Sequence, residues 1–189
     1  ADLCTIEEYL DVVKGNVDTY VNTPGRRYHS LEQSSFNAWI KLYRPDENSK
    51  NSSISYYLKG GLVFTALHAL LLDKGKSVDD LLLLLWDDFK SRPDSGVSRE
   101  DVYRMIRELG GESVLNEFST MVETTQEIDF DSIFKKLGCE LKWEEKQTPW
   151  LGIDWEWAAD RAIAKSVVID SPAHKAGVNA GDEMVFLNG

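Results

Sequence analysis

Two tyrosines, Tyr56 and Tyr57, open a stretch that continues through Leu62, Val63, Phe64, Ala66, Leu67, Ala69, Leu70 and Leu71. Apolar residues fall on nearly every face of a helical period there, so the stretch predicts a helix buried inside a domain. The first turn of such a helix carries unsatisfied backbone N–H groups and the positive end of the helix dipole. Phenol hydroxyls at that point are placed to meet an anion or a developing oxyanion. The pair also reads as ordinary amphipathic packing with hydrated hydroxyls. No metal site is assigned: the three histidines, His29, His68 and His174, are not spaced as a helical pair, and each reads as a surface or hydrogen-bonded core residue.

The elements that position these residues are written locally. Thr5-Ile6-Glu7-Glu8 is a capping-box sequence, and Ile6, Leu10, Val13, Val17 and Val21 recur at helical spacing behind it until Thr23-Pro24-Gly25. Ser30-Leu31-Glu32-Gln33 caps a second helix with Phe36, Trp39, Ile40 and Tyr43, which stops before Pro45. Residues 46–53 read as a polar loop leading into the central helix, which closes at Asp73-Lys74-Gly75-Lys76. Ser77 caps a leucine-rich helix with Trp86 and Phe89, and Arg92-Pro93-Asp94-Ser95-Gly96 is a turn. Ser98 begins a helix that Gly110-Gly111 stops, and Val114, Leu115, Phe118, Met121 and Val122 resume the period after it. A short helix over 131–137 ends at Gly138, and residues 139–143 alternate like an exposed edge strand.

Composition changes after Lys146-Gln147-Thr148-Pro149, where helical periodicity gives way to short strand patterns and glycine turns. This predicts two domains, 1–147 and 148–189. The fold class expected is a mainly α, bundle-like helical subdomain followed by a small β-rich segment.

At 189 residues with 42% hydrophobic content and six tryptophans, the chain can bury a substantial core. A net charge of −11 and a pI near 4.7, with no Lys/Arg cluster, argue against a nucleic-acid partner, which needs a basic stripe. The longest mainly apolar run, 60–72, is too short to cross a bilayer, so no membrane span is expected. Cys4 and Cys139 form neither a disulfide framework nor a CxxC pair and read as free, buried thiols. A cytoplasmic, reducing setting is favoured, with a periplasmic one left open. The chain starts without methionine and stops at Asn188-Gly189, a hairpin-turn signal that should feed a further strand, so it reads as a piece of a longer protein.

Leu151-Gly152-Ile153, the strand pattern 164–169, Ser171-Pro172 with Ala176-Gly177, Ala180-Gly181-Asp182-Glu183 and a closing strand pattern together resemble the first half of a bacterial PDZ domain. Local chemistry agrees: Ser171 can cap a one-turn helix with Pro172 at its first position, Gly177 can end it, and Gly181-Asp182 can turn into the next strand. The resemblance implies that Leu151, Gly152 and Ile153 offer backbone N–H groups to a peptide C-terminal carboxylate beside a strand edge that pairs with the peptide. The same loop also reads as a plain glycine turn. The helix that would complete the groove is not encoded here.

The earlier part, with Thr5-x-Glu7-Glu8-Tyr9-Leu10, then Pro24-Gly25-Arg26, then Ala38-Trp39-Ile40-Lys41-x-Tyr43-Arg44-Pro45-Asp46-Glu47-Asn48, then Ser55-Tyr56-Tyr57-x-Lys59-Gly60-Gly61-Leu62, and finally Ile128-Asp129-Phe130-Asp131-Ser132-Ile133-Phe134 before Leu137-Gly138-Cys139, is similar to the glycyl-aminopeptidase-type zinc metallopeptidases. In those gluzincins a thermolysin-like catalytic domain precedes a PDZ domain. The resemblance implies that this chain is the helical end of the first and the opening of the second. It also implies zinc in the intact enzyme, held by an HExxH motif, which does not occur here, and a later glutamate, so that the zinc ligands would lie outside this chain. A zinc-bound water would attack a peptide carbonyl near the substrate's N-terminus. Related enzymes carry a tyrosine two residues before Lys-Gly that donates to the oxyanion. Tyr57-Leu58-Lys59-Gly60 matches that offset, with Tyr56 as reserve because the pair leaves the alignment ambiguous by one. A neutral phenol, with pKa about 10, is a donor throughout the working range. The fragment alone is expected to hold no zinc and to be inactive. Two other readings stay open: a non-enzymatic helical adaptor whose PDZ module recruits peptide tails, and a purely structural helical interaction domain.

Overall fold

The computed structural model describes residues 3–145, 148–158 and 160–186. Lys146, Gln147, Leu187 and the Asn188-Gly189 turn therefore lie outside the described residues. Helices dominate, and a small three-stranded sheet follows them. By contacts the chain divides into two compact units, residues 1–56 with 144–189, and residues 57–143.

In the first unit, α1 (Ile6–Val21) starts on a capping box between Thr5 and Glu8, as its sequence dictates, and buries Val13, Val17 and Tyr20. A 3-10 turn over Pro24–Arg27 follows. The single helix expected next is two, α2 (Leu31–Phe36) and α3 (Ala38–Lys41). Asn37, at φ −90° and ψ 9°, breaks the run: its N–H returns to the carbonyls of Gln33 and Ser35 and closes α2. The polar loop contains a one-turn helix, α4 (Ser49–Ser52), anchored because Ser49 Oγ donates to Asp46 Oδ1 at 2.8 Å. The extended residue Ser53 then ends α4.

The sheet of this unit is antiparallel in the order β1 (Ile153–Ala158), β2 (Arg161–Val167), β3 (Glu183–Met184). Ile153 pairs with Val167, and a bulge lies between Asp154 and Trp155. Ala164, Val167 and Ala173 form its small core, with Ile153, Trp155 and Val178 against them. Ser171 caps α9 (Pro172–Lys175), and Gly177 and Gly181 take positive φ at the turns where the sequence places glycine. Asn51 of α4 reaches this sheet: its Nδ2 donates to the Val167 carbonyl at 2.8 Å, and its Oδ1 accepts from the Ile169 N–H at 2.9 Å.

The second unit holds the central helix, α5 (Tyr56–Leu72), whose first residue still belongs to the first unit. Leu62, Val63, Ala66, Leu67, Ala69, Leu70 and Leu71 are buried, while Phe64 and Leu72 stay partly exposed. Helix α6 (Val78–Ser91) begins on the Ser77 and Asp80 capping box. It packs with α7 (Arg99–Glu123), which the sequence signal at Gly110-Gly111 divides: Gly111 sits at φ 78° and ψ −179° inside it. Helix α8 (Phe130–Lys136) buries Phe130, Ile133 and Phe134.

Two further expectations are corrected. Residues 139–143 are not a strand, because their alternation finds no ladder partner among the described residues, and pairing rather than alternation makes a strand. The cysteines are free but not buried: Cys4 is exposed just ahead of α1, and Cys139 is half-buried after the Gly138 turn. The stretch Ser49–Leu72 is long and apolar enough to cross a membrane by composition, yet half of its most apolar window is buried, and a buried core helix passes the same test.

Candidate functional site

The first turn of α5 separates its residues by face. Tyr57 is 64% exposed, whereas Lys59, two residues on and so roughly 200° around a helix of 3.6 residues per turn, is fully buried. The turn thus shows a phenol outward and anchors a cation inward. Lys59 Nζ donates to the Thr124 carbonyl at 3.1 Å, at the C-cap of α7. Burial pulls the ammonium down to about 8, and the nearby Glu127 carboxylate partly offsets that.

Tyr56 is oriented differently from its neighbour. Its hydroxyl lies 3.2 Å from that of Tyr43, and the Tyr43 ring leans on Trp39 with centroids 5.1 Å apart. The segment leading into the pair is fixed from behind. Ile54 is buried and its carbonyl accepts a hydrogen bond from Ser34 Oγ, also buried. Gly25 lies so close to Ser53 that a Cβ on it would stand 2.5 Å from the Ser53 carbonyl carbon. What this arrangement can do is donate hydrogen bonds from phenol groups to an acceptor arriving at the N-terminal end of α5.

The expected peptide loop lies in the first unit. Gly152 is buried at φ 79°, Leu151 is exposed and Ile153 half-buried. The Gly152 carbonyl accepts from the Val168 N–H at 2.8 Å, and the Leu151 carbonyl accepts from the Ala173 N–H at 3.1 Å. A side chain at 152 would strike Ser171, so the loop requires glycine on two counts.

Among the described residues, no three His, Cys, Asp or Glu side chains come together to hold a metal ion. The histidines have other uses: His68 Nδ1 accepts from the Val78 N–H at 3.5 Å, and His174 Nδ1 accepts from the Asp170 N–H at 3.3 Å. The zinc that the resemblance implies finds no fitting donor set in these residues. In the sequence, Lys59 enters only as part of the Lys-Gly pair that fixes the offset of Tyr57. The signal that singles it out, a cation inside an otherwise apolar helix, was present but does not reveal its partner Thr124.

The family model of the M61 glycyl aminopeptidases matches residues 1–63, a span that includes Tyr57-Leu58-Lys59-Gly60. No curated protein matches the chain. The fold is similar to the crystal structure of an aminopeptidase N family protein from Idiomarina loihiensis, with a TM-score of 0.84 and 20% identity over 98% of this chain. The chain spans 34% of the length of that structure.

Proposed function

We propose that this chain is part of a peptidase of the glycyl-aminopeptidase kind, in which Tyr57 donates a hydrogen bond to the oxyanion formed when a peptide carbonyl near the substrate's N-terminus is attacked. The observation that carries this reading is the exposed phenol of Tyr57 on the first turn of a buried helix, inside the span that matches the M61 family model. The phenol O–H is the donor, and the developing negative charge also meets the positive end of the α5 dipole. Tyr56, whose hydroxyl is paired with that of Tyr43, is the reserve donor. Zinc belongs to this proposal only for the whole protein, held by residues other than these 189, and no step here runs through it.

The proposed division at 147/148 goes with a second part of the reading, that residues 148–189 open a PDZ domain with Leu151, Gly152 and Ile153 as its carboxylate loop. The positive φ of Gly152 and the Ser171-capped turn of α9 support it. Titration of the full-length protein with a free-acid peptide and its C-terminal amide checks this part, and equal affinity for the two would remove it.

The test of the main reading is Tyr57→Phe in the full-length protein, assayed on a peptide with N-terminal glycine. Loss of one oxyanion donor should lower kcat by about 100- to 1,000-fold with little change in KM. An unchanged kcat moves the role elsewhere. A full-length protein that hydrolyses no peptide yet binds C-terminal tails would favour the adaptor reading instead.

A further inference from the structure

A lysine whose side chain is wholly buried is costly, and this one stands at the wrong end of its own helix, where the α5 dipole is positive. Its compensation comes from elsewhere. The ammonium bonds to the Thr124 carbonyl at 3.1 Å, where the long helix α7 ends and its dipole is negative. Glu127, three residues further on and exposed, is the carboxylate acting on it. The neighbouring acids are turned to other work. Glu123 accepts from the Tyr103 hydroxyl at 2.7 Å and pairs with Arg99, and Asp129 caps α8 through the Ser132 N–H.

We infer that Lys59 is a positioning residue: its buried ammonium, bonded to the Thr124 carbonyl at the end of α7, fixes the first turn of α5 and thereby the direction in which Tyr57 presents its phenol. The inference rests on the oxyanion role proposed for Tyr57. A hydrocarbon at position 59 would fill the same space without gripping α7, so the turn would be free to rotate by the small amounts that matter to a preorganised donor.

The charged form is the one that grips. Burial holds the Lys59 ammonium at about 8, so above that pH the anchor loses its charge and kcat should fall. Stability should move the opposite way, since the unfolded chain still protonates this lysine and the folded one no longer carries a buried charge. A merely structural lysine would give the same rise in stability but leave kcat level across that range. Removing the Glu127 charge, which favours the ammonium, should carry the alkaline fall in kcat to lower pH.

The experiment uses the full-length protein and a glycyl peptide substrate, comparing wild type with Y57F, K59M and E127Q by kcat, KM, their pH profiles and the melting temperature. The expected result is that K59M loses at least tenfold in kcat with KM nearly unchanged. Wild-type kcat then falls above about pH 8 while its melting temperature rises, and E127Q shifts that fall downward. A substrate amine titrating nearby would not move with E127Q, which isolates the enzyme group. Should K59M fail to fold, E127Q decides alone, because its substitution is on an exposed side chain. If Y57F loses kcat while K59M does not, or while the E127Q profile stays in place, the inference about Lys59 is overturned and the role of Tyr57 stands. If Y57F leaves kcat unchanged, both fall together.

Discussion

Gly25→Ala is the sharpest test of how the segment before Tyr56 is held. Gly25 is buried in the turn Pro24–Arg27, and an added Cβ would stand 2.5 Å from the Ser53 carbonyl carbon, against the roughly 3.5–4.0 Å at which carbon atoms rest. The atoms it meets are backbone, so no side chain can swing aside. Overpacking of this kind costs about 1–3 kcal/mol. Relief by moving Ser53 outward would also pull Ile54 from Ser34, leaving a buried carbonyl without its donor for about 1–3 kcal/mol more. For a chain of this length the sum corresponds to a melting-temperature loss of roughly 5–20 °C. Circular dichroism melts of the 189-residue chain measure it, with Gly15→Ala as control, because nothing lies within 4 Å of a Cβ built on Gly15 in α1. A Gly25→Ala melt within about 2 °C of wild type, by the same scaling, would refute the close approach of the turn to Ser53.

Two further substitutions separate backbone strain from crowding, since a Cβ at Gly111 or Gly61 meets nothing within 4 Å. Gly111→Ala should cost about 1–3 kcal/mol, because φ 78° with ψ −179° is a region that glycine alone occupies readily. Gly61→Ala, in the helical backbone of α5, should instead gain about 0.5–1 kcal/mol, and urea unfolding showing the same sign for both would refute the kink. Lys59 supplies a pH window: its folded value is about 8 and its unfolded value near 10.5. Below the window both states are protonated and the burial penalty is constant. Within it the unfolded chain binds more protons, so stability should rise with pH by about 3 kcal/mol in total. Lys59→Met should flatten that rise in alkaline urea titrations, and an unchanged slope would show that another group is responsible.

What the sequence announces here is local. The Thr5, Ser77, Ser98 and Ser171 caps each bond to a backbone N–H two or three residues away, so residue type and spacing suffice to find them. The glycines at 75, 138, 177 and 181 take the positive φ that their turns need. The same local logic misses at Asn37, where a residue that tolerates helix closes one helix and opens the next. It fails again over 139–143, where alternation is intact but a strand also needs a neighbour. The contacts that place the candidate site are of the second kind. Asn51 bonds to Val167 and Ile169, Ser34 to Ile54, Tyr43 to Tyr56 and Lys59 to Thr124. No periodicity encodes such pairings, because each joins residues far apart in the chain.

Those long-range contacts are not scattered. Between residues 51 and 59, Asn51, Ser53, Ile54, Tyr56 and Lys59 each meet a residue more than ten positions away, so the backbone that carries Tyr57 is constrained at nearly every second residue. The Tyr57 side chain itself remains outside, 64% exposed. A phenol meant only for packing would gain from burial of its ring and would not need its backbone determined so closely. A hydrogen-bond donor to a transition state gains from the reverse, a fixed base and an open face, because its contribution depends on pointing at the charge before the charge appears. On the reading proposed for Tyr57, the cost of that arrangement lies in the buried ammonium of Lys59, bonded to the Thr124 carbonyl, and in the glycine required at position 25.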